Sequence, residues 1–470
     1  MNDFWIKRIT QALGFPPTAS QETCIQKLAQ FLSSHDERRT FVLNGYAGTG
    51  KTSLMSALVT TLTDLSVPIV LLAPTGRAAK VLAAYSHHTA YSIHRYIYRQ
   101  CSAYGEAFEL SYNRLKNAVF IIDEASMISS QNDGGIFGSG SLLDDLIDFV
   151  YQGEGCTLIL VGDTAQLLPV TQGSSPALDK DFLTQYYLNI TTHTLSDVVR
   201  QTQSSGILTN ATLLRKAMQN NAFPTLLLNG FSDVKRVSGE DLIDTINSAY
   251  DRFGIEECTI ITRSNKRATL YNRGIRAQVL QNEDELSHGD RLMVIRNDYF
   301  WTEQYAGIDF IANGDIATII RLHNWHELYN LHFVEATLQF ADYDMEIDTM
   351  LLIDSLYADT PTEVEKLRQH LFCQVEEDYM HIASKRERYK AMRQDRYLNA
   401  LNVKFAYAVT CHKAQGGQWD CVFVDFGIFN EEQLDYTYWR WLYTAFTRSK
   451  QQIYLVNFID RLFEKKPNRT

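Results

Sequence analysis

Several features are scarce or missing from this 470-residue sequence. No uninterrupted apolar run approaches the ~18–20 residues that cross a bilayer, so no membrane-spanning helix is expected. The opening MNDFWIKRITQALGF lacks the apolar stretch and small-residue cleavage site of an export signal. The seven cysteines (Cys24, Cys101, Cys156, Cys258, Cys373, Cys411 and Cys421) are scattered and odd in number, with no CxxC pair. That argues against a disulfide framework or a zinc module and fits a reducing cytoplasm. With 25 glycines and 9 prolines there is no collagen-like or mucin-like composition. No 20–50-residue repeat and no low-complexity tract occurs.

What remains is an ordinary globular composition, 45% apolar and 21% charged. At roughly 150 residues per domain it suggests about three domains. The net charge of −11 at first disfavours a polyanionic partner. Its distribution removes that objection. Residues 341–380 carry eleven acidic and two basic side chains, which leaves the rest of the chain nearly balanced, and 381–396 carry six basic and two acidic ones. Binding to a polyanion depends on the local field rather than the total.

Between residues 40 and 185, apolar runs (FVLNG, IVLLAP, AVFIID, TLILVGD) alternate with helix-length segments, the pattern of a buried parallel sheet. It returns in CTIITR and in FAYAVTC, CVFVDF and QIYLVNF near the end. Residues 315–353 instead alternate like antiparallel strands, and 361–400 read as charged helices. The expected fold class is therefore α/β, with two parallel-sheet domains and a β-rich plus helical insertion in the second.

Gly45-Tyr-Ala-Gly48-Thr-Gly50-Lys51-Thr52 matches G-x-x-x-x-G-K-[ST] between a strand and a helix. Glycines let the backbone N–H groups curl around phosphate oxygens. Lys51 is placed to reach the β/γ-phosphates, and the Thr52 hydroxyl to ligate Mg²⁺. AVFII leads into Asp123-Glu124, at the strand end where α/β sheets bind ligands. Asp123 is expected to hold Mg²⁺ and Glu124 to orient the attacking water. A third strand ends in Asp163-Thr-Ala-Gln166, and Gln166 can contact the γ-phosphate. Together these define an ATP- and Mg²⁺-dependent nucleoside triphosphatase. In the second half, Val409–Gly416 and Tyr443–Lys450 lie beside strands, and Arg448 is placed to act as an arginine finger on domain closure.

This ordered set resembles the superfamily 1 helicases of the RecD/Dda type, the 5′→3′ branch, over nearly the whole chain except 341–400. Gln21 resembles the family's adenine-reading glutamine. GYAGTGKT, APTGRAA, AYSIHR, DEAS, VGDTAQLLPV, LSDVVRQ, VTCHKAQG and YTAFTRSK resemble its successive motifs. The resemblance implies two RecA-like domains. It makes Arg200 a γ-phosphate contact, and Pro74, Thr75, His94, Thr410, His412 and Lys413 the DNA contacts. Short hydroxyls and N–H groups at such positions grip phosphates without reading bases.

The implied domains are 1A over 1–95 and 118–185, a pin over 96–117, 2A over 186–314 and 402–470, and an SH3-like then helical 2B insertion over 315–401. Tyr104 and Phe108 flank the pin's turn and are expected to wedge the fork. The implied activity is a monomeric ATP-dependent helicase acting on single-stranded and 5′-tailed duplex DNA. A nucleotide-gated clamp that does not unwind, or an RNA helicase, are the alternatives, because backbone grips do not distinguish sugars.

Overall fold

The computed structural model describes residues 2–100, 108–131, 137–169, 172–197, 205–305, 308, 310–340, 345–428 and 430–463. Arg200 and Tyr104 lie outside them. Two helices, α1 (Asn2–Leu13) and α2 (Ala19–Ser33), precede a six-stranded sheet. Its strands are β1 (Arg39–Gly45), β2 (Ile69–Ala73), β3 (Ala90–Ser92), β6 (Val119–Ile122), β7 (Thr157–Gly162) and β8 (Asn189–Leu195), in the order β3-β2-β6-β7-β1-β8. All pairings are parallel. Helices α3 (Lys51–Asp64), α4 (Gly76–Ser86), α5 (Ile93–Ile97), α6 (Leu142–Gln152) and α7 (Lys180–Leu183) connect them.

Period-two alternation gives this sheet two cores. Phe120, Ile122, Leu158 and Leu160 pack with the Leu143–Val150 face of α6. Val119, Ile121, Ile159 and Val161 pack with α1, α2 and α3. A short antiparallel hairpin, β4 (Tyr98–Gln100) with β5 (Phe108–Leu110), projects between α5 and β6.

Helix α8 (Gly206–Gln219) leads into a second, wholly parallel sheet. Its order is β16-β10-β17-β18-β9, from β9 (Val234–Val237), β10 (Cys258–Thr262), β16 (Ala408–Thr410), β17 (Trp419–Asp425) and β18 (Ser449–Val456). Helices α9 (Leu242–Phe253), α10 (Asn265–Gly274), α13 (Cys411–Ala414) and α14 (Tyr436–Phe446) flank it. Between α10 and β16 sits a closed barrel of β11 (Arg291–Val294), β12 (Ile316–Leu328), β13 (Leu331–Phe340), β14 (Met345–Leu352) and β15 (Leu401–Phe405). Helices α11 (Pro361–Asp378) and α12 (Lys385–Met392) are inserted between β14 and β15.

Three boundaries differ from the sequence reading. Strand β8 pairs with β1, so the first sheet ends at Leu195 rather than 185. Arg291–Val294, placed in the parallel domain, is a barrel strand. The run FAYAVTC, read as one strand, is divided. Phe405 ends the barrel and Ala408 begins the second sheet, with buried Tyr407 at the joint donating its hydroxyl to Asp290 Oδ1 at 2.8 Å. An apolar run cannot show by composition that its two halves pair with different sheets.

Candidate nucleotide site and strand-binding face

A cavity of about 1160 Å³ opens where the C-terminal ends of β1, β6 and β7 face the second domain. β7 lies between the P-loop strand and the acid strand, so those two ends stand two strand spacings apart, about 9.6 Å. Gly48 and Gly50 take left-handed φ of 74° and 80°, which glycine adopts without a Cβ penalty. Gly50 caps α3 with no side-chain hydrogen bond, leaving the first-turn N–H groups for an anion. A Cβ on Gly45 would sit 2.6 Å from Lys51 Cγ, so only glycine lets the lysine fold back over the loop. Lys51 Nζ donates to the carbonyls of Gly45 and Tyr46, the latter at 3.1 Å. Thr52 lines the same wall.

Across the cavity, Asp123 Oδ2 accepts the Tyr85 hydroxyl at 2.6 Å and Oδ1 accepts the Glu124 N–H at 2.8 Å. Burial raises the Asp123 pKa, with the neighbouring Glu124 charge adding to it. Glu124 sits at φ 51°, uncommon outside glycine, and its carboxylate meets Arg448 Nη1 at 3.5 Å. Arg448 is only 2% exposed. It also donates to the carbonyls of Thr444 and Gly417, both at 3.3 Å, and to the Thr447 hydroxyl.

Gln166 lines the cavity and is 5% exposed, and its Oε1 has no partner among the described residues. It is therefore a buried, unpaired acceptor in the wall of the site. Asp163 Oδ2 accepts the Tyr443 hydroxyl at 2.6 Å, and the Tyr443 hydroxyl oxygen in turn accepts the P-loop Ala47 N–H at 2.9 Å. Burial raises the Asp163 pKa, while the Lys51 charge opposes it. Arg440 donates to the carbonyls of Thr164 and Gln166, and the Leu167 N–H donates to Thr444 Oγ1 at 2.8 Å.

Tyr443 and Thr444 stand in the YTAFTRSK motif without an individual role, and Arg440 and Tyr85 lie outside the motifs. Arg440 and Thr444 are spaced i, i+4 on a largely apolar helix, with Arg448 just past its end and Tyr443 beside Thr444.

Gln21 is a correction. It is fully buried and does not line the cavity. Its Oε1 accepts the Thr18 N–H at 3.0 Å, and its Nε2 donates to the Thr49 carbonyl at 3.2 Å. Both ends of the amide are spent on capping α2 and bracing the P-loop. Phe15, Pro16, Pro17 and Thr18 form the wall in its place.

The strand-binding candidates divide between two places. Thr75 Oγ1 caps α4 by accepting the Ala78 N–H at 3.1 Å, with half-buried Pro74 before it. Gly416 packs on that cap, where a Cβ would lie 3.1 Å from Thr75 Oγ1. The APTGRAA and VTCHKAQG segments thus meet at the domain junction. Thr410 and Lys413 open onto a second cavity of about 520 Å³, and His412 is exposed. His94 is packed against Phe137 and Tyr98, with ring centroids at 5.0 and 5.7 Å. Burial lowers its pKa to about 4, so it is neutral at pH 7 and offers phosphate no charge.

Phe108 is a second correction. It is 8% exposed, with its ring 4.9 Å from Phe137 and 4.6 Å from Tyr299. A side chain packed this way cannot stack on a base pair. It docks the hairpin against the segment joining β11 and β12, where Tyr299 meets Phe310 at 5.3 Å.

Phosphate loop, acidic strand end and a helix from a second parallel sheet closing on both define a two-domain P-loop nucleoside triphosphatase. Two family matches cover its halves: an AAA domain over residues 18–234 and a UvrD-like helicase C-terminal domain over 405–456. The ATP-dependent DNA helicase dda of Enterobacteria phage T4 is 23% identical over 459 residues, 90% of this chain and 95% of that protein. The ATP-dependent RecD2 DNA helicase of Deinococcus radiodurans is 31% identical over 161 residues, 33% of this chain and 20% of that protein. A Bacteroides Pif1 helicase in complex with ADP-AlF3 and ssDNA superposes with a TM-score of 0.46 at 15% identity, covering 96% of this chain and 95% of that one. The likeness to helicases thus runs through both parallel-sheet domains. Among the described residues no helix is long and apolar enough to cross a membrane.

Proposed function

We propose that this protein is an ATP-dependent DNA helicase that moves 5′→3′ along a single strand and unwinds duplex DNA. The observation that carries the reading is the contact of Arg448, on the second domain, with Glu124, on the first. An arginine delivered across the domain junction to the hydrolytic carboxylate ties the chemistry to domain closure, the requirement of a motor rather than of a one-domain kinase. The relatives' printed activities supply the DNA substrate, and family resemblance supplies the direction.

In this reading Lys51 neutralises the transferring phosphate and Glu124 positions the water. Gln166, in the cavity wall, contacts the γ-phosphate. Arg448 exchanges its long contact with Glu124 for transition-state charge. Arg200, outside the described residues, is retained as a second such arginine. Thr52 and Asp123 fit Mg²⁺: a hydroxyl and a buried carboxylate are the hard oxygen donors it takes, few in number beside phosphate and water. Bound there, the ion would neutralise charge on the β- and γ-oxygens. Phosphate contacts through Thr75, Thr410, His412 and Lys413 would hold the strand across both domains.

The test is unwinding of 5′-tailed and 3′-tailed duplexes, in DNA and in RNA, with ATP and Mg²⁺. Opening of 5′-tailed DNA alone is expected. Selective opening of 3′-tailed substrate would overturn the direction. Strand-stimulated hydrolysis without any opening would establish the clamp instead.

A further inference from the structure

The helical insertion has a place that the nucleotide site does not use. Two cations of its basic second half are paired with acids nearby. Arg388 Nε lies 3.5 Å from Glu376, and Arg396 donates to Glu335 at 2.9 Å. Its first turn, by contrast, walls the 520 Å³ cavity together with α10, β15 and the Thr410–Lys413 motif. Arg273, Arg296, Arg368 and Lys413 line this cavity against two acids, Asp359 and Glu365. Glu365 is already paired with Arg368 at 3.5 Å. Lys413 has no hydrogen-bond partner among the described residues.

At the mouth stands Tyr357, 46% exposed. The Arg273 guanidinium lies 5.8 Å from its ring centroid. The ring is thus flanked by a cation, with much of its surface in solvent. A positively charged channel beside an open aromatic is how proteins hold single strands without reading sequence: cations track phosphates, and a ring takes the base.

We infer that this cavity seats one nucleotide of the single strand on the second domain, with its base stacked on Tyr357 and its phosphate toward Lys413, Arg273 and Arg368. The helical insertion is then a wall of the strand path, which gives its first turn a role its acidic composition conceals. This inference rests on the single-strand-binding reading proposed above, and the test separates the two.

The test is fluorescence anisotropy with a labelled dT16 and a 16-unit abasic strand that carries phosphates but no bases, for wild type, Tyr357→Ala, Tyr357→Trp and Arg368→Glu. Tyr357→Ala should weaken dT16 about tenfold, near the low end of what one stacked base contributes, and leave the abasic strand unchanged. Tyr357→Trp should restore dT16. Arg368→Glu should weaken both strands and flatten the salt dependence. Equal loss on both strands in Tyr357→Ala, or no loss on either, overturns the stacking assignment. Wild type that binds neither strand overturns the strand-binding reading itself.

Discussion

Arg448 Nη1 stands 3.5 Å from Glu124 Oε1, joining residues 324 positions apart in the chain and on opposite domains. The Arg448 side chain is nearly dry, Glu124 is half-buried, and Arg448 is fixed by three further hydrogen bonds within its own domain. The guanidinium is therefore held in place before any substrate arrives, which limits what must reorganise during hydrolysis.

Arg448→Ala should leave nucleotide affinity nearly intact and lower turnover by about 10³-fold or more, the scale of an arginine finger. A fluorescent-nucleotide titration beside a steady-state ATPase assay separates the two. Parallel losses in affinity and turnover would identify a ground-state contact instead.

Lys51→Ala should abolish turnover by removing the cation at the transferring phosphate, and Glu124→Gln should keep nucleotide binding while hydrolysis fails. Single-turnover measurements on both variants check this. Full activity in Lys51→Ala would remove the site assignment.

Tyr443→Phe deletes the hydroxyl that joins Ala47 of the P-loop to Asp163. It leaves a buried carboxylate oxygen and an N–H short of a partner, each omission costing about 1–3 kcal/mol. Lower stability and a reduced ATPase rate are expected, measured by urea unfolding and turnover. Unchanged values in both would show that the bridge carries no coupling.

Phe108→Ala and Tyr299→Ala each break the contact that docks the hairpin on the second domain's insertion. Unwinding should fall while strand-stimulated ATPase persists. In the double variant the two losses should not add, because one contact is removed twice. Full additivity would show that the rings act separately.

His94 gives a pH-dependent outcome. Its pKa falls from an ordinary 6.5 to about 4 by burial, with Asp145 partly opposing the shift. The unfolded chain takes up that proton below 6.5 and the folded chain only near 4. The unfolded state therefore binds more protons in that window, and His94 withdraws stability as pH falls through it. Relative to His94→Phe, wild type should lose more unfolding free energy between pH 7 and pH 5 in urea titrations. Identical pH dependence would show that the imidazole is not held neutral.

The sequence by itself determined the chemistry that is local. The P-loop, the acid pair after AVFII and the third strand end are legible because each depends on a few adjacent residues and the strand or helix beside them. Buried parallel strands also announce themselves as continuous apolar runs. The tertiary structure decided what depends on packing across the chain. It turned Phe108 inward onto Tyr299, closed Gln21 behind Thr18 and Thr49, split FAYAVTC between barrel and sheet, and brought Arg448 to Glu124. A side chain's type limits what it can bond to. Which partner it meets is set by how sheets and helices stack, and that is fixed by burial summed over whole domains rather than by any neighbour in sequence.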